Sequence, residues 1–148
     1  MEIRASSAWP RDGIQSFLER QRIPLRLACL DRRDEPLVCS LWYLFEEGSL
    51  WCATQKSARV VDYLTRNPAC GFEVAPESPP YMGVRGQAAA SLSAERGPEV
   101  LLRLIDRYLG DRETSLARWL IARSSDEVAI RLSPRWLTSW DYSGRMGG

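Results

Sequence analysis

From Thr54 to Arg59 the chain reads TQKSAR, a run that gathers two hydroxyls, a lysine and an arginine where an apolar segment gives way to a helical pattern. Thr54 and Ser57 can donate hydrogen bonds to an anion. Lys56 can add a point charge, and Arg59 can pair with two oxygens at once. If Ser57 caps the helix, free N–H groups of the first turn and the helix dipole point at the same place. The chemistry would be the seating of a phosphate. A capped surface helix with a solvated arginine uses the same residue types, so the run by itself leaves both readings open.

Other chemistries are excluded by composition. The chain has no histidine, which removes Ser-His-Asp and Cys-His nucleophiles, histidine-ligated zinc and histidine-ligated haem. Cys29, Cys39, Cys52 and Cys70 stand singly in apolar stretches without a C-x-x-C pair, so they read as small hydrophobes and no metal site is expected. Glu46-Glu47 falls on a predicted hairpin tip and reads as a solvated turn. There is no Walker motif and no G-x-G-x-x-G, since Gly83-Val84-Arg85-Gly86 lies inside a strand pattern. A net charge of +1 offers no field for nucleic acid or an anionic membrane, and Asp31 to Glu35 is a turn of mixed charge. No apolar run approaches spanning length and the N-terminal MEIRASSAWPRDG lacks a signal-peptide apolar block, so a cytoplasmic protein is expected. Of six tryptophans, most read as packing; Trp140, near the C-terminus, is placed to flank a planar ring.

The elements that must position these residues follow from periodicity. Length fits one domain, 1–148, with a loose tail from about Ser143. A helix is expected near Asp12–Gln21, with Ile14, Phe17 and Leu18 on one face, and a strand over Leu25–Asp31. Leu37–Phe45 is apolar on both faces apart from Ser40, which predicts a central strand covered on both sides. Glu46 to Ser49 is a hairpin loop leading into a strand at Leu50–Thr54. A helix from Ser57 buries Val60, Val61 and Leu64 and ends at Asn67-Pro68. Strands follow at Ala69–Ala75 and Tyr81–Leu92, then helices at Pro98–Leu109 and Thr114–Arg123. Two last strands, Val128–Leu132 and Arg135–Tyr142, are split at Pro134. Helices are too few to cross over between every strand pair, so a mostly antiparallel barrel with peripheral helices fits better than a parallel sheet.

These pieces, in order, resemble the pyridoxamine 5′-phosphate oxidase-like family of flavin mononucleotide-binding split barrels. The marks are LVCSLWY, the hairpin into LWCAT, KSARVVDYLTRNP, YMGVRGQA and the closing PRWLTSWD, spanning about Pro24 to Asp141. The resemblance implies a mainly β fold, a six-stranded antiparallel split barrel, forming a homodimer with two flavins at its interface. It places Ser40, Leu41, Trp42 and Tyr43 along the ring system and Ala53 and Thr54 at the phosphate. The family's Ser/Arg-Lys pair at the following helix falls on Ala58 and Arg59, with Arg59 in place of the usual lysine, and Lys56 and Ser57 lie just before it. A flavin-contacting glutamine of the next long strand falls on Tyr81, and the C-terminal tryptophan on Trp140. Three departures bear on substrate. Strand two carries Val38 and Tyr43 where vitamin-processing members have basic residues. The loop Gln55–Ala58 is one residue shorter. The Arg-x-His-x-Arg substrate motif is absent, the chain ending SGRMGG. The resemblance therefore implies a flavin-dependent oxidoreductase acting on another small molecule, with F420 as the alternative cofactor and no residue singled out as catalytic. A non-catalytic flavin or F420 sensor on the same barrel is the rival. A cofactor-free barrel holding single-stranded nucleic acid on exposed aromatics is disfavoured by the charge.

Overall fold

A computed structural model describes residues 1–147; Gly148, the end of the tail expected to be loose, lies outside the described residues. The elements run β1 (Glu2–Ile3), α1 (Arg11–Arg20), β2 (Leu25–Leu30), β3 (Pro36–Leu41), β4 (Leu44–Glu46), β5 (Ser49–Gln55), α2 (Arg59–Arg66) and β6 (Ala69–Val74). They continue with β7 (Met82–Ser93), α3 (Gly97–Tyr108), α4 (Ser115–Ala122), β8 (Glu127–Asp141) and the short α5 (Ser143–Met146). One sheet has the order β3-β2-β6-β7-β8-β5-β4, antiparallel throughout, with β1 added in parallel to β8.

The two ends of that sheet, β3 and β4, are halves of one chain segment interrupted at Trp42 and Tyr43. Joining them closes the path, which recovers the six expected strands and makes the fold a barrel with a split. The split is held by one residue of α3. Tyr108 stacks on Trp42 at 5.0 Å with the rings 6° from parallel. Its hydroxyl accepts from the Tyr43 N–H at 3.2 Å and donates to the Ile23 carbonyl at 2.9 Å. A backbone group taken out of the strand ladder thus finds a partner.

The sequence expectation of a central, doubly covered strand at Leu37–Phe45 is corrected here. β3 is an edge strand of the hydrogen-bonded path, with Leu37 and Val38 40% and 63% exposed. The expected break at Pro134 is also absent, and β8 runs unbroken. Pro134 sits opposite Ala88 beside a bulge in β8 itself, with Arg135 the unpaired extra residue, where the ladder is already irregular and a missing N–H costs little. The hairpin reading holds, with Glu47 and Gly48 both at positive φ (51° and 74°). The tail forms the α5 turn, and Met146 Sδ accepts from the Tyr81 N–H at 3.3 Å.

The core inside the barrel is built from Leu25, Leu27, Leu50, Cys52, Phe72, Val74, Val84, Ile130, Leu132 and Leu137, closed by Ile14, Phe17 and Leu18 of α1. A second apolar layer packs α3 against the outside of β5 and β8 through Val100, Leu104 and Ala129. Cys29, Cys52 and Cys70 are buried and Cys39 half-buried, all as free thiols; burial pushes the Cys70 thiol up to about 11.

Candidate functional site

The predicted site residues fall into four places. Ser40 and Leu41, at the end of β3, and Trp42, just beyond it, meet Ala53 and Thr54, at the end of β5, across an open groove of about 380 Å³. The far wall comes from helices. Leu101 and Leu104 of α3 form the floor, and Leu116, Trp119 and Leu120 of α4 form a flap. Thr114 caps α4, its hydroxyl accepting from the Ala117 N–H at 3.2 Å, which fixes where the flap starts. Leu116 and Trp119 are 45% and 55% exposed, so this helix turns part of its apolar face toward the groove and solvent instead of the core. The Arg123 guanidinium lies 4.2 Å from the centre of the Trp119 ring.

Lys56, Ser57, Ala58 and Arg59 line a second, more polar cleft of about 500 Å³. Its opposite wall is the β2–β3 turn, Asp31, Arg32 and Arg33, with Asp62 and Tyr63 of α2 alongside. Charge here is partly spent. Arg32 pairs with Asp62 at 2.8 Å and Lys56 with Asp126 at 2.9 Å. The Arg32 guanidinium holds the Asp62 carboxyl below the usual carboxylate range, and the backbone N–H groups of Glu35 and Arg33 do the same for Asp31. Among the described residues Arg33 and Arg59 form no salt bridge, and the Asp31 carboxylate lines the same cleft within electrostatic reach of Arg33. The expected Ser57 cap is not formed. α2 begins at Arg59 after Ala58, with no side-chain cap, because Lys56 to Ala58 are taken up by a turn that the Ala58 N–H closes on the Gln55 carbonyl at 2.9 Å. The Ser57 hydroxyl is thereby left free of the helix.

Tyr43 is corrected as a ring contact. Its side chain is fully enclosed and its hydroxyl donates to the Leu18 carbonyl at 2.8 Å, tying the split to α1. Burial pushes its phenol well above the ordinary value.

Trp140 and Tyr81 lie elsewhere. Thr54 is paired with Val128 near one end of β8, whereas Trp140 is paired with Gly83 near the other. That is about 40 Å of strand path at the usual rise per residue. Trp140 packs against Gly83, where a Cβ would fall 2.6 Å from its ring, and the Arg85 guanidinium lies over it at 5.1 Å. Tyr81 is 45% exposed. One protomer therefore does not bring these two aromatics to the groove or the cleft.

Three contributors escaped the sequence reading. Arg33 sits in a turn that looked like a solvated charge cluster, and nothing local distinguishes it. Trp119 carried a signal, because an apolar stripe on a short helix next to a polar turn can face a ligand as readily as a core. Glu127, the first residue of β8, lines the groove yet is only 4% exposed. Burial raises its carboxyl above the ordinary range, opposed by Gln55 and Arg123.

No family model matches the chain, and no curated protein matches it. Solved structures do. A conserved hypothetical protein from Mycobacterium tuberculosis superposes with a TM-score of 0.80 at 20% identity, covering 100% of this chain and 94% of its own. An F420 reductase gives 0.73 at 22% identity, covering 88% and 98%. A candidate pyridoxamine 5′-phosphate oxidase from Listeria innocua gives 0.63 at 18% identity, covering 89% and 97%. The fold is the pyridoxamine 5′-phosphate oxidase-like split barrel.

Proposed function

We propose that the protein is a flavin mononucleotide-binding homodimer and an oxidoreductase acting on a small molecule. One observation carries the reading. An apolar groove of about 380 Å³ and a cleft lined by two guanidiniums outside any salt bridge flank the same strand-to-helix junction, Thr54–Arg59. That donor set fits a ring joined to a phosphate. Arg59 would pair with phosphate oxygens, with Arg33 facing it and the free Ser57 hydroxyl donating; Lys56, already paired with Asp126, adds less. Ala53 and Ala58 leave room between groove and cleft, and Thr54 donates where they meet. Leu41 and Trp42 present the ring slot, and Ser40 stands at its rim, its hydroxyl partnered by Arg26. When bound, a flavin supplies the hydride transfer; the chain supplies position and water exclusion.

The dimer is proposed on two grounds. Leu37 and Val38 leave an exposed apolar edge beside Ser40 to Trp42. Trp140 and Tyr81 reach a groove only if a second copy brings them. Val38 and Tyr43, standing where vitamin-processing members carry basic residues, argue against pyridoxamine phosphate as substrate. No helix among the described residues is long and apolar enough to cross a membrane, and a cytoplasmic location is proposed with the function.

The likeness to an F420 reductase favours a second reading, in which the deazaflavin F420 occupies the same groove and cleft. Fluorescence titration with flavin mononucleotide, F420 and riboflavin separates the two. The expected result is tight binding of one phosphorylated cofactor and much weaker binding of riboflavin. No binding of any of them overturns both readings. Turnover with a reduced nicotinamide then distinguishes an oxidoreductase from a non-catalytic sensor. Light scattering is expected to give twice the 16.8 kDa chain mass.

A further inference from the structure

The outer side of the sheet carries an open trough. Two hollows, of about 450 and 420 Å³, lie side by side across β3, β2, β6 and β7 and share Ala28 and Gly71 as floor. One rung of the ladder runs Val38, Ala28, Gly71, Gln87, Trp136, so Val38 and Trp136 stand as walls. Nothing within the protomer requires glycine at position 71. Its backbone is not left-handed, and a Cβ there would meet only the Gly86 carbonyl oxygen at 3.6 Å and the Ala28 Cβ at 3.9 Å, both ordinary contacts. Glycine inside a strand weakens it and marks a place where another group approaches closely.

The next rung shows what that group must carry. It runs Ser40, Arg26, Glu73, Arg85, Thr138. Half-buried Glu73 lies between two arginines, yet it forms no salt bridge among the described residues. The Arg26 guanidinium is drawn the other way, donating to the Ser40 hydroxyl and pairing with exposed Glu77 at 3.2 Å, and the Arg85 guanidinium lies over Trp140. A fitting occupant brings a small apolar knob for Gly71 and a cation for Glu73. The face itself owns both, in Val38, which is 63% exposed, and Arg26.

We propose that the occupant is a second copy of this chain, docked face to face on a two-fold axis that runs along β2. The inference rests on the homodimer reading above and assigns its interface. Rotation on that axis leaves every residue on its own rung and exchanges the strands on either side of β2, so β3 of each copy faces β6 of the other. Ala28 then meets Ala28, Val38 covers Gly71, and the Arg26 guanidinium, held over Ser40, meets Glu73. Each unlike contact occurs twice, as a self-complementary interface requires. β3, β6 and β8 run in the same direction, and Trp140 lies two residues past Thr138 as Trp42 lies two past Ser40. The same rotation therefore carries Trp140 of one copy to the β3 side of the other, level with Trp42.

Sedimentation and light scattering of the full chain at graded concentrations test this. Gly71→Leu is expected to weaken the dimer by about a hundredfold or more while its own unfolding stays cooperative. Glu73→Arg and Arg26→Glu are each expected to weaken it by about tenfold or more, through like charges set face to face. Mixing those two variants is expected to restore a tight heterodimer, in which both contacts are again opposite in charge, a result that no folding defect can imitate. A Gly71→Leu dimer as tight as wild type, or a Glu73→Arg and Arg26→Glu mixture no tighter than either variant alone, overturns this inference and leaves the homodimer reading standing. A wild type that is monomeric at every concentration overturns both.

Discussion

The cleft at Lys56–Arg59 and the groove beneath α4 meet at the same few residues, yet they are built on opposite principles. The cleft is made of turns and helix ends. Its charged side chains are exposed, and its ion pairs, Arg32–Asp62 and Lys56–Asp126, stand in water, where such pairs are worth little. The groove is backed by the packed layer between α3 and the barrel, and its polar group, Glu127, is buried and pinned by Gly97. A surface cleft can tune affinity without disturbing the fold. A groove whose wall is also core cannot be altered without the fold responding. Substitutions in the cleft should therefore separate ligands by charge, and substitutions behind the groove should show first in stability.

The largest effect is expected from Gly97→Ala. With the Glu127 carbonyl 1.9 Å from the new methyl and both partners backbone, α3 must move off β8. The expected loss is about 3 kcal/mol, read by denaturant unfolding. Unchanged stability would erase the distinction between a rigid groove and a tolerant cleft.

Arg59→Ala comes next and belongs to the cleft. Affinity for flavin mononucleotide is expected to fall about 10- to 100-fold, as for loss of a charge-assisted hydrogen bond, with riboflavin affinity and unfolding midpoint unchanged. Equal weakening of both ligands in calorimetry would take the arginine off the phosphate.

Glu127→Gln sharpens the comparison from the other side. Burial raises the folded-state pKa of Glu127 above its ordinary 4.5, so the native state holds this proton more tightly than the unfolded chain does. Stability from this group is complete below the ordinary value and falls as pH rises through the folded value. The glutamine variant does not titrate. It is expected to gain on wild type as pH rises through the folded value of Glu127 and to match it near pH 4, in paired urea titrations. A constant difference across that range would show that ionisation of Glu127 is not what the fold resists.

Lys56→Ala is the smallest. Its ammonium is already paired with Asp126, so flavin mononucleotide affinity is expected to drop only about two- to threefold, less than for Arg59→Ala in the same titration. A drop as large as that of Arg59→Ala would mean that the ion pair opens on binding.

Much of this molecule was legible along the chain. The helix at Asp12–Gln21, the hairpin at Glu46 to Ser49 and the stop at Asn67-Pro68 follow from period, glycine and proline. Each appears within a residue or two of its expected place. The long-range errors share a cause. Leu37–Phe45 reads as a buried central strand because apolar residues occupy both faces. Yet Leu37 and Val38 lie on an exposed edge, and Tyr43 turns inward to meet α1. Apolar pattern reports that a segment wants cover, not which neighbour provides it. Pro134 reads as a break because proline removes a ladder donor, yet the strand continues through a bulge at Arg135, the next residue, set against Gln87 and Ala88 of β7.

The site divides along the same line. The chemistry of the Thr54–Arg59 run, the absence of histidine and the barrel's order of elements were readable along the chain, because these depend on residue type and local spacing. Tertiary structure alone decided which charges remain unpaired. It spent Lys56 on Asp126 and Arg32 on Asp62, and left Arg33 of the β2–β3 turn and Arg59 at the start of α2 lining one cleft from places far apart in sequence. It also set Trp140 about 40 Å of strand from Thr54, and it buried Glu127 in a wall that only the packing of α3 on β8 creates. Charge neutralisation and burial are properties of neighbours in space, and the order of residues along a chain does not state them.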